Sequence, residues 1–395
     1  MSTRESDVRP VGNDCGVDRL GRWRRKAPAA TKVAVGQAGC VRVYVEKDLM
    51  IASSPPVPAV DPAARSAGDE ESSRADEPVV FTDGHHFNLA ASSDLETVAS
   101  EAAGPLSVIL QVTKRCNFDC SFCSETLQEP DPTLAVLERM RDNLAGVPRV
   151  FLSGGEPLLR RDIVDIVDMF TGTVIGLPTN ATRGLQHARD LAGKVTFVNV
   201  GLEGPRATTN RVRGDYDKVM EGVRAFQDAG LPLSLSAVVY RSTLTALPFT
   251  LQIADVLDAG KLKLILPLRK GNALDLADHE FLTVQEATAA FERLVELRTV
   301  HDWRPALRLT AWTPDTEGHM IVVSPRGLAS AWPVYDAPDL LEPLGNLLDE
   351  SITEIWARYR FKRNHYAKYL GRSIHTASRT GRPPAARRSL RIAHA

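Results

Sequence analysis

Cys116-Asn117-Phe118-Asp119-Cys120-Ser121-Phe122-Cys123 gathers three of the chain's five cysteines into one short stretch. The run before it, Leu106 to Val112, is dominated by Val, Ile and Leu between polar flanks, the pattern of a buried strand. The loop therefore leaves the carboxyl end of a strand, the edge where parallel α/β folds carry their chemistry. Thiolates spaced C-x3-C-x2-C can hold three irons of a 4Fe–4S cube. Such clusters ordinarily take four cysteines, so three imply one iron open to a small molecule. Two plainer readings stand beside this one. A zinc knuckle needs a fourth ligand and usually pairs C-x2-C motifs. Unliganded thiols in one polar loop would be exposed to oxidation.

The 395 residues accommodate one large α/β domain and a smaller one. A net charge of −1, with 25% charged residues, provides no overall field for nucleic acid or an anionic membrane. No apolar stretch approaches the ~18 residues of a spanning helix. The early arginines have no apolar run behind them, so no secretory signal is read. Cys15 and Cys40 lie far from the loop and suggest no disulfide framework. The expectation is a cytoplasmic protein in a reducing compartment.

Residues 1–80 read as a disordered extension, because 50–78 is rich in Pro, Ala, Ser, Asp and Glu and nearly lacks aromatics. His85 and His86 fall in a turn leading into the folded body. From Pro105 to Leu268 short apolar strands alternate with amphipathic helices, the pattern of βα units on a parallel sheet. The strands are expected at 106–112, 149–152, 174–177, 197–202, 233–240 and 262–266. Helical stripes include Leu134, Leu137, Met140 and Leu144, and then Val219, Val223 and Phe226 with Gly230 as the stop. Thr283 with Glu286 forms a capping box for a further helix. The fold class is α/β, a partial (β/α)6 TIM-like barrel over 81–300. A small α+β cap follows over 301–370, and a basic tail, read as disordered, over 371–395.

The loop resembles the signature of the radical S-adenosylmethionine (radical SAM) superfamily, and the strand exits extend the resemblance. It implies that Cys116, Cys120 and Cys123 hold a single 4Fe–4S cluster whose open iron binds S-adenosylmethionine. The second strand ends in Ser153-Gly154-Gly155-Glu156-Pro157. Glycines let backbone approach a ligand closely. The matching run in the family binds the methionine amino group, which carries over to Gly154, Gly155, Glu156 and Pro157. Thr179 and Asn180 stand at the third exit, similar to the family's Thr-Asn-Gly turn. The fourth reads Gly201-Leu202-Glu203-Gly204-Pro205, where relatives commonly have Ser-Leu-Asp-Gly-Pro, and the resemblance implies a cofactor contact at Glu203. Arg211 or Arg213 is the implied clamp for the methionine carboxylate, since guanidinium binds carboxylates bidentately. Phe122 matches the aromatic position near adenine, and the turn Pro267 to Asn272 a nucleoside contact.

Ile321 to Gly327, Leu344 to Leu347 and Ile352 to Trp356 resemble a SPASM module, read as a hairpin, a loop and a helix. SPASM modules hold auxiliary clusters through cysteines, and no cysteine follows Cys123; Trp332 falls about where a ligand is expected. A cap without metal implies a redox-neutral outcome such as epimerisation, elimination or decarboxylation. The catalytic hydrogen donor is unassigned, with Tyr240 and Tyr335 as candidates. The expected activity is cleavage of S-adenosylmethionine to a 5′-deoxyadenosyl radical that takes hydrogen from a sugar- or nucleoside-type secondary metabolite. The alternatives are a ribosomally made peptide substrate, or a catalytically inactive homologue acting as a binding partner. An electron donor such as flavodoxin or ferredoxin is implied; nucleic acid and membrane partners are not.

Overall fold

Alternate residues of the central strands point to opposite faces, and the two faces have opposite chemistry. In this computed structural model the described residues are 104–359 except 106, 148, 311–319 and 333–342, together with the backbone of short strands at 34–35, 41–42, 79–82, 87–89, 376–377 and 388–391. Strand β1 (Ser107–Thr113) is followed by β2 (Arg149–Gly154), β3 (Val174–Thr179), β4 (Phe197–Gly201), β5 (Leu233–Val238), β6 (Lys261–Ile265) and β7 (Ala306–Thr310). Each pairs in parallel with the next. Between them run α1 (Leu134–Asn143), α2 (Ile163–Met169), α3 (Gly184–Leu191), α4 (Arg206–Val212), α5 (Tyr216–Asp228), α6 (Leu247–Val256) and α7 (Val284–Val300).

On the outer face Val108, Leu110, Val150, Leu152, Ile175, Leu177, Val198, Val200, Leu235, Leu262, Leu264 and Leu307 are at most 1% exposed beneath the helices. Each such side chain contributes ~1.5–3 kcal/mol by leaving water. The inner face instead carries Ser107, Gln111, Arg149, Asn199, Ser234, Ser236, Lys261, Lys263 and Arg308. The sheet curls: Arg149 on β2 acts electrostatically on Lys263 on β6, four strands away. These strands alternate in this way, with Phe151 and Phe197 among the polar inner residues, where a sheet covered by helices on both faces would be apolar throughout.

The six anticipated strands form, and the α/β partial barrel is the architecture observed. Beyond them, β7 extends the parallel run. The hairpin expected near 321–327 forms as β8 (Met320–Val323) and β9 (Leu328–Trp332), with β10 (Gly345–Asn346) after it. Strand β8 lies parallel to β1, Ile321 opposite Val108, so the hairpin continues the barrel sheet. Helix α8 (Ile352–Ala357) starts at a Ser351–Glu354 capping box and buries Ile352, Ile355 and Trp356. The Thr283–Glu286 box also forms, and Gly230 closes α5 at φ +74°.

Apart from the strand backbone at 34–35, 41–42 and 79–80, the extension over 1–80 lies outside the described residues, as do His85 and His86, Cys15 and Cys40, Tyr335 and most of the tail. By its contacts the chain divides into Met1–Ser72 and Ser73–Ala395. In the first, Ala34–Val35 pairs antiparallel with Val41–Arg42. In the second, Val79–Thr82 pairs antiparallel with Phe87–Leu89 and with Arg388–Arg391, and Thr376–Ala377 pairs with the edge of β7. Among the described residues no helix is long and apolar enough to cross a membrane.

Candidate cluster and cofactor site

The cysteine loop leaves β1 and is bolted to four other parts of the barrel mouth. Gly155 and Glu156 donate backbone N–H groups to the carbonyls of Thr113 and Arg115 at 2.9 and 2.8 Å, so the exit of β2 lies directly against the start of the loop. The glycines are required here. A Cβ on Gly154, whose φ is +151°, would stand 2.0 Å from the Thr113 carbonyl oxygen, and one on Gly155 2.3 Å from that of Arg115. On the far side Ser121 donates its N–H to the Val212 carbonyl at 3.0 Å, and its hydroxyl lies 3.3 Å from the Tyr240 hydroxyl. Asn272 donates its N–H to the Cys123 carbonyl at 2.9 Å and its amide to Asp119 and the Cys120 carbonyl at 2.7 and 3.0 Å. Glu125 accepts from Lys114, Gln111 and Lys270 at 2.6, 3.1 and 3.0 Å.

Within this frame Cys116 is exposed, Cys123 half-buried and Cys120 buried among Phe122, Val212 and Tyr240. Burial pushes the Cys120 thiol up to about 12, with Arg213 pulling it the other way. Each of the outer two thiols acts electrostatically on Cys120, so the sulfurs share one neighbourhood. Among the described residues no three His, Cys, Asp or Glu side chains are arranged to hold a single metal ion. A sulfide cluster takes one thiolate per iron, which three spaced, soft donors on one pinned loop fit.

Glu156 is the hub of the β2 and β3 exits. It is 1% exposed and caps the short turn Pro157–Leu159. Its carboxylate accepts from the Leu158 N–H at 2.9 Å, the Thr179 hydroxyl at 2.7 Å and the Asn180 N–H at 2.6 Å. Burial nevertheless raises its pKa to about 6, against the lowering effect of those three bonds. Asn180 then reaches the loop, donating to Asn117 at 2.9 Å with Cys116 Sγ 4.0 Å away. Thr179 and Asn180 are thereby joined to Glu156 and to the cysteine loop through one network.

Glu203 and Arg213, expected as separate cofactor contacts, are joined to each other. The guanidinium donates through Nε and Nη2 to the two oxygens of Glu203 at 2.6 Å each, and Glu203 also accepts from the Val238 N–H at 3.3 Å. Burial alone would lower the Arg213 pKa; Glu203 more than offsets it, and the net shift is upward. The same guanidinium stacks 5.0 Å from the Phe122 ring centroid. Arg211 is turned away to Ser242, with its guanidinium nitrogens 3.4 Å from that residue's hydroxyl and carbonyl. Tyr240 is buried with its ring 6.4 Å from that of Phe122, and burial raises its pKa. Residues the sequence reading missed are Glu125, Lys114, Ser121 and Asn117; none belongs to a periodic pattern, and apart from the Lys114–Glu125 and Gln111–Glu125 bonds within the segment their partners lie on other exits.

The family model of the radical SAM superfamily matches residues 110–245. The PqqA peptide cyclase of Rhodopseudomonas palustris is 32% identical over 183 residues, 42% of this chain and 48% of that protein. The GTP 3′,8-cyclase of Rhizobium etli is 36% identical over 152 residues, 34% of this chain and 43% of that protein. The chain thus spans about half the length of the curated relatives it matches. Among solved structures, Streptococcus suis SuiB bound to precursor peptide SuiA aligns with a TM-score of 0.57 at 12% identity, over 70% of this chain and 69% of that one, a likeness of fold. The three-cysteine loop and the Gly-Gly-Glu-Pro exit both fall inside the span that the radical SAM superfamily model matches.

Proposed function

We propose that the chain is a radical SAM enzyme that abstracts hydrogen from a sugar- or nucleoside-type substrate with a redox-neutral outcome. The observation that carries the enzymatic reading is the pinned loop, with three cysteines held against the Glu156–Asn180 network at the barrel mouth. Cys116, Cys120 and Cys123 would hold the cluster, and Gly154 to Pro157, Thr179, Asn180 and Phe122 would line the cofactor. When bound, the 4Fe–4S cluster and S-adenosylmethionine supply a 5′-deoxyadenosyl radical able to take hydrogen from an unactivated C–H bond.

The chain's own residues supply position and exclusion. Asn272 and Ser121 fix the loop from opposite sides of the mouth, so the thiolates keep their spacing. Glu156 holds the β2 and β3 exits together, and the Glu203–Arg213 pair seals the wall behind Cys120 and Phe122. The redox-neutral part rests on the sequence, in which no cysteine follows Cys123 to hold a second cluster as electron acceptor. A relative named GTP 3′,8-cyclase favours a nucleotide-type substrate. A relative named PqqA peptide cyclase favours a peptide instead, which is the second reading.

Anaerobically reconstituted full chain, given dithionite and S-adenosylmethionine, is expected to release 5′-deoxyadenosine and methionine. Faster release with nucleotides than with peptides selects the first reading, and the reverse selects the second. A cluster-loaded chain that binds S-adenosylmethionine weakly and cleaves none of it would be the inactive homologue.

A further inference from the structure

The inner face of the barrel carries a cation set that the cofactor site does not use. Arg149 and Lys261 open β2 and β6, and Lys263 and Arg308 sit opposite each other in the register of β6 and β7. Arg149 is 5% exposed and Lys261 7% exposed. Among the described residues no inward position of β1 to β7 carries a carboxylate. Two aromatic rings form one wall: Phe151 and Phe197 meet edge-to-face at 6.1 Å across Gly176, where a Cβ would stand 2.6–2.8 Å from both. Arg149 lies 4.9 Å from the centroid of the first ring and Lys261 5.8 Å from that of the second. Arg149 also bonds the Ser107 hydroxyl at 2.8 and 3.0 Å.

Arg149, Lys261 and Arg308 all have partners within the chain. Lys263 is different: among the described residues no hydrogen bond or ion pair reaches its ammonium, and its charged neighbours are Arg308 and Arg149. A second orphan lies on the neighbouring strand, opposite Ile265. The Thr310 hydroxyl, two residues beyond Arg308 on the same face, is buried without a hydrogen-bond partner. A buried hydroxyl without a partner is costly, and a half-buried ammonium whose charged neighbours are guanidinium groups is stabilised by an anion.

We propose that the barrel interior holds an oxyanion site in which Lys263 and Thr310 bind the phosphoryl or carboxylate group of the substrate, with Arg308 opposite Lys263 in the strand register. Lys263 stands two residues before the end of β6, ~7 Å below the mouth at strand rise. A ligand anchored there by its anionic end presents its body upward to the cysteine loop. Burial, then Arg308 and Arg149, lowers Lys263 to about 7, so an arriving oxyanion also restores a full ammonium. Only the assignment of the anion to the substrate rests on the enzymatic reading above; the site itself does not.

The test is calorimetric titration of reconstituted full chain with inorganic phosphate, pyrophosphate and malonate, each at constant ionic strength set by chloride. At least one oxyanion is expected to bind, and the phosphate and malonate arms distinguish a phosphoryl from a carboxylate ligand. Lys263→Met should weaken that binding by about 10–100-fold, the loss of one charge-assisted hydrogen bond, while Lys263→Arg keeps most of it. Equal binding by Lys263→Met, or no oxyanion binding beyond chloride, overturns the site. Oxyanion binding without 5′-deoxyadenosine release would sink the enzymatic reading and leave the site standing; the converse result would do the opposite.

Discussion

Arg213 and Glu203 form a two-pronged ion pair, 2.6 Å on each prong, in a space that exists because residue 201 is glycine. A Cβ on Gly201 would stand 2.3–2.5 Å from the guanidinium carbon and nitrogens. The glycine and the glutamate, where relatives commonly have serine and aspartate, are therefore one coupled departure. The longer acid draws the arginine over strand β4, and the missing side chain leaves it room.

Gly201→Ser should consequently destabilise the fold by about 1–3 kcal/mol, because the guanidinium cannot yield without breaking its bonds to Glu203. Combining it with Glu203→Asp should cost less than the sum of the single changes. Denaturant unfolding of the double-mutant cycle checks this, and strict additivity would remove the coupling.

Arg213→Met leaves Glu203, which is 0% exposed, as a buried unpaired carboxylate, at an expected cost of about 3–5 kcal/mol. Glu203→Leu with Arg213→Met should recover much of it, since an apolar pair needs no counter-charge. A double variant no more stable than Arg213→Met alone would contradict this account.

Glu156 gives the fold a pH dependence of definite sign. Its folded pKa is raised to about 6 from 4.5, so the native state holds the proton more tightly than the unfolded chain. Its contribution is fully present below about 4.5 and is lost as pH rises through about 6, a change of ~2 kcal/mol. Stability measured across that window should fall by this amount relative to Glu156→Gln, which lacks the titration. Parallel curves for the two proteins would refute it.

Glu125→Ala should loosen the cysteine loop by leaving Lys114, 6% exposed, without its carboxylate. Removing a charged partner from a buried ammonium costs about 1–3 kcal/mol. Iron and sulfide content after reconstitution should drop with stability, whereas Lys194→Ala, at a surface pair with Asp168, should leave both nearly unchanged. Full cluster content in Glu125→Ala would show that the network does not hold the loop.

Gly155→Ala places a Cβ against backbone rather than a yielding side chain, so relief requires the β1 and β2 exits to part. A loss of at least about 2 kcal/mol is expected, with impaired S-adenosylmethionine binding. Equilibrium dialysis with labelled cofactor measures the second effect. Wild-type stability and affinity together would mean that the exits need not touch.

Local patterns carried the strands and helices, because a buried stripe or a capping box announces itself within one turn or strand. Thr283–Glu286, Gly230 and the Leu137–Met140 face were legible for that reason. Pairing across distance was not. Strand β7 is the five residues Ala-Leu-Arg-Leu-Thr, and nothing local ties it to β6; likewise Ile321 carries no mark of its neighbour Val108. Glu203 and Arg213 were each visible as polar residues at a strand exit, but their engagement depends on Gly201, whose meaning is the absence of atoms. The inner cations escaped notice because the strands were read through their outer, apolar residues.

The bolts of the cysteine loop also impose an order of events. Ser121 waits for Val212 and Cys120 for Asn272, partners 91 and 152 residues further on. At about 5–20 residues per second of synthesis, the thiols leave the ribosome roughly 8–30 seconds before their last anchor is made. Throughout that interval they are unshielded in a nascent chain. Metal loading therefore belongs after translation has passed β6, and production under oxygen should scar these cysteines before the protein can protect them.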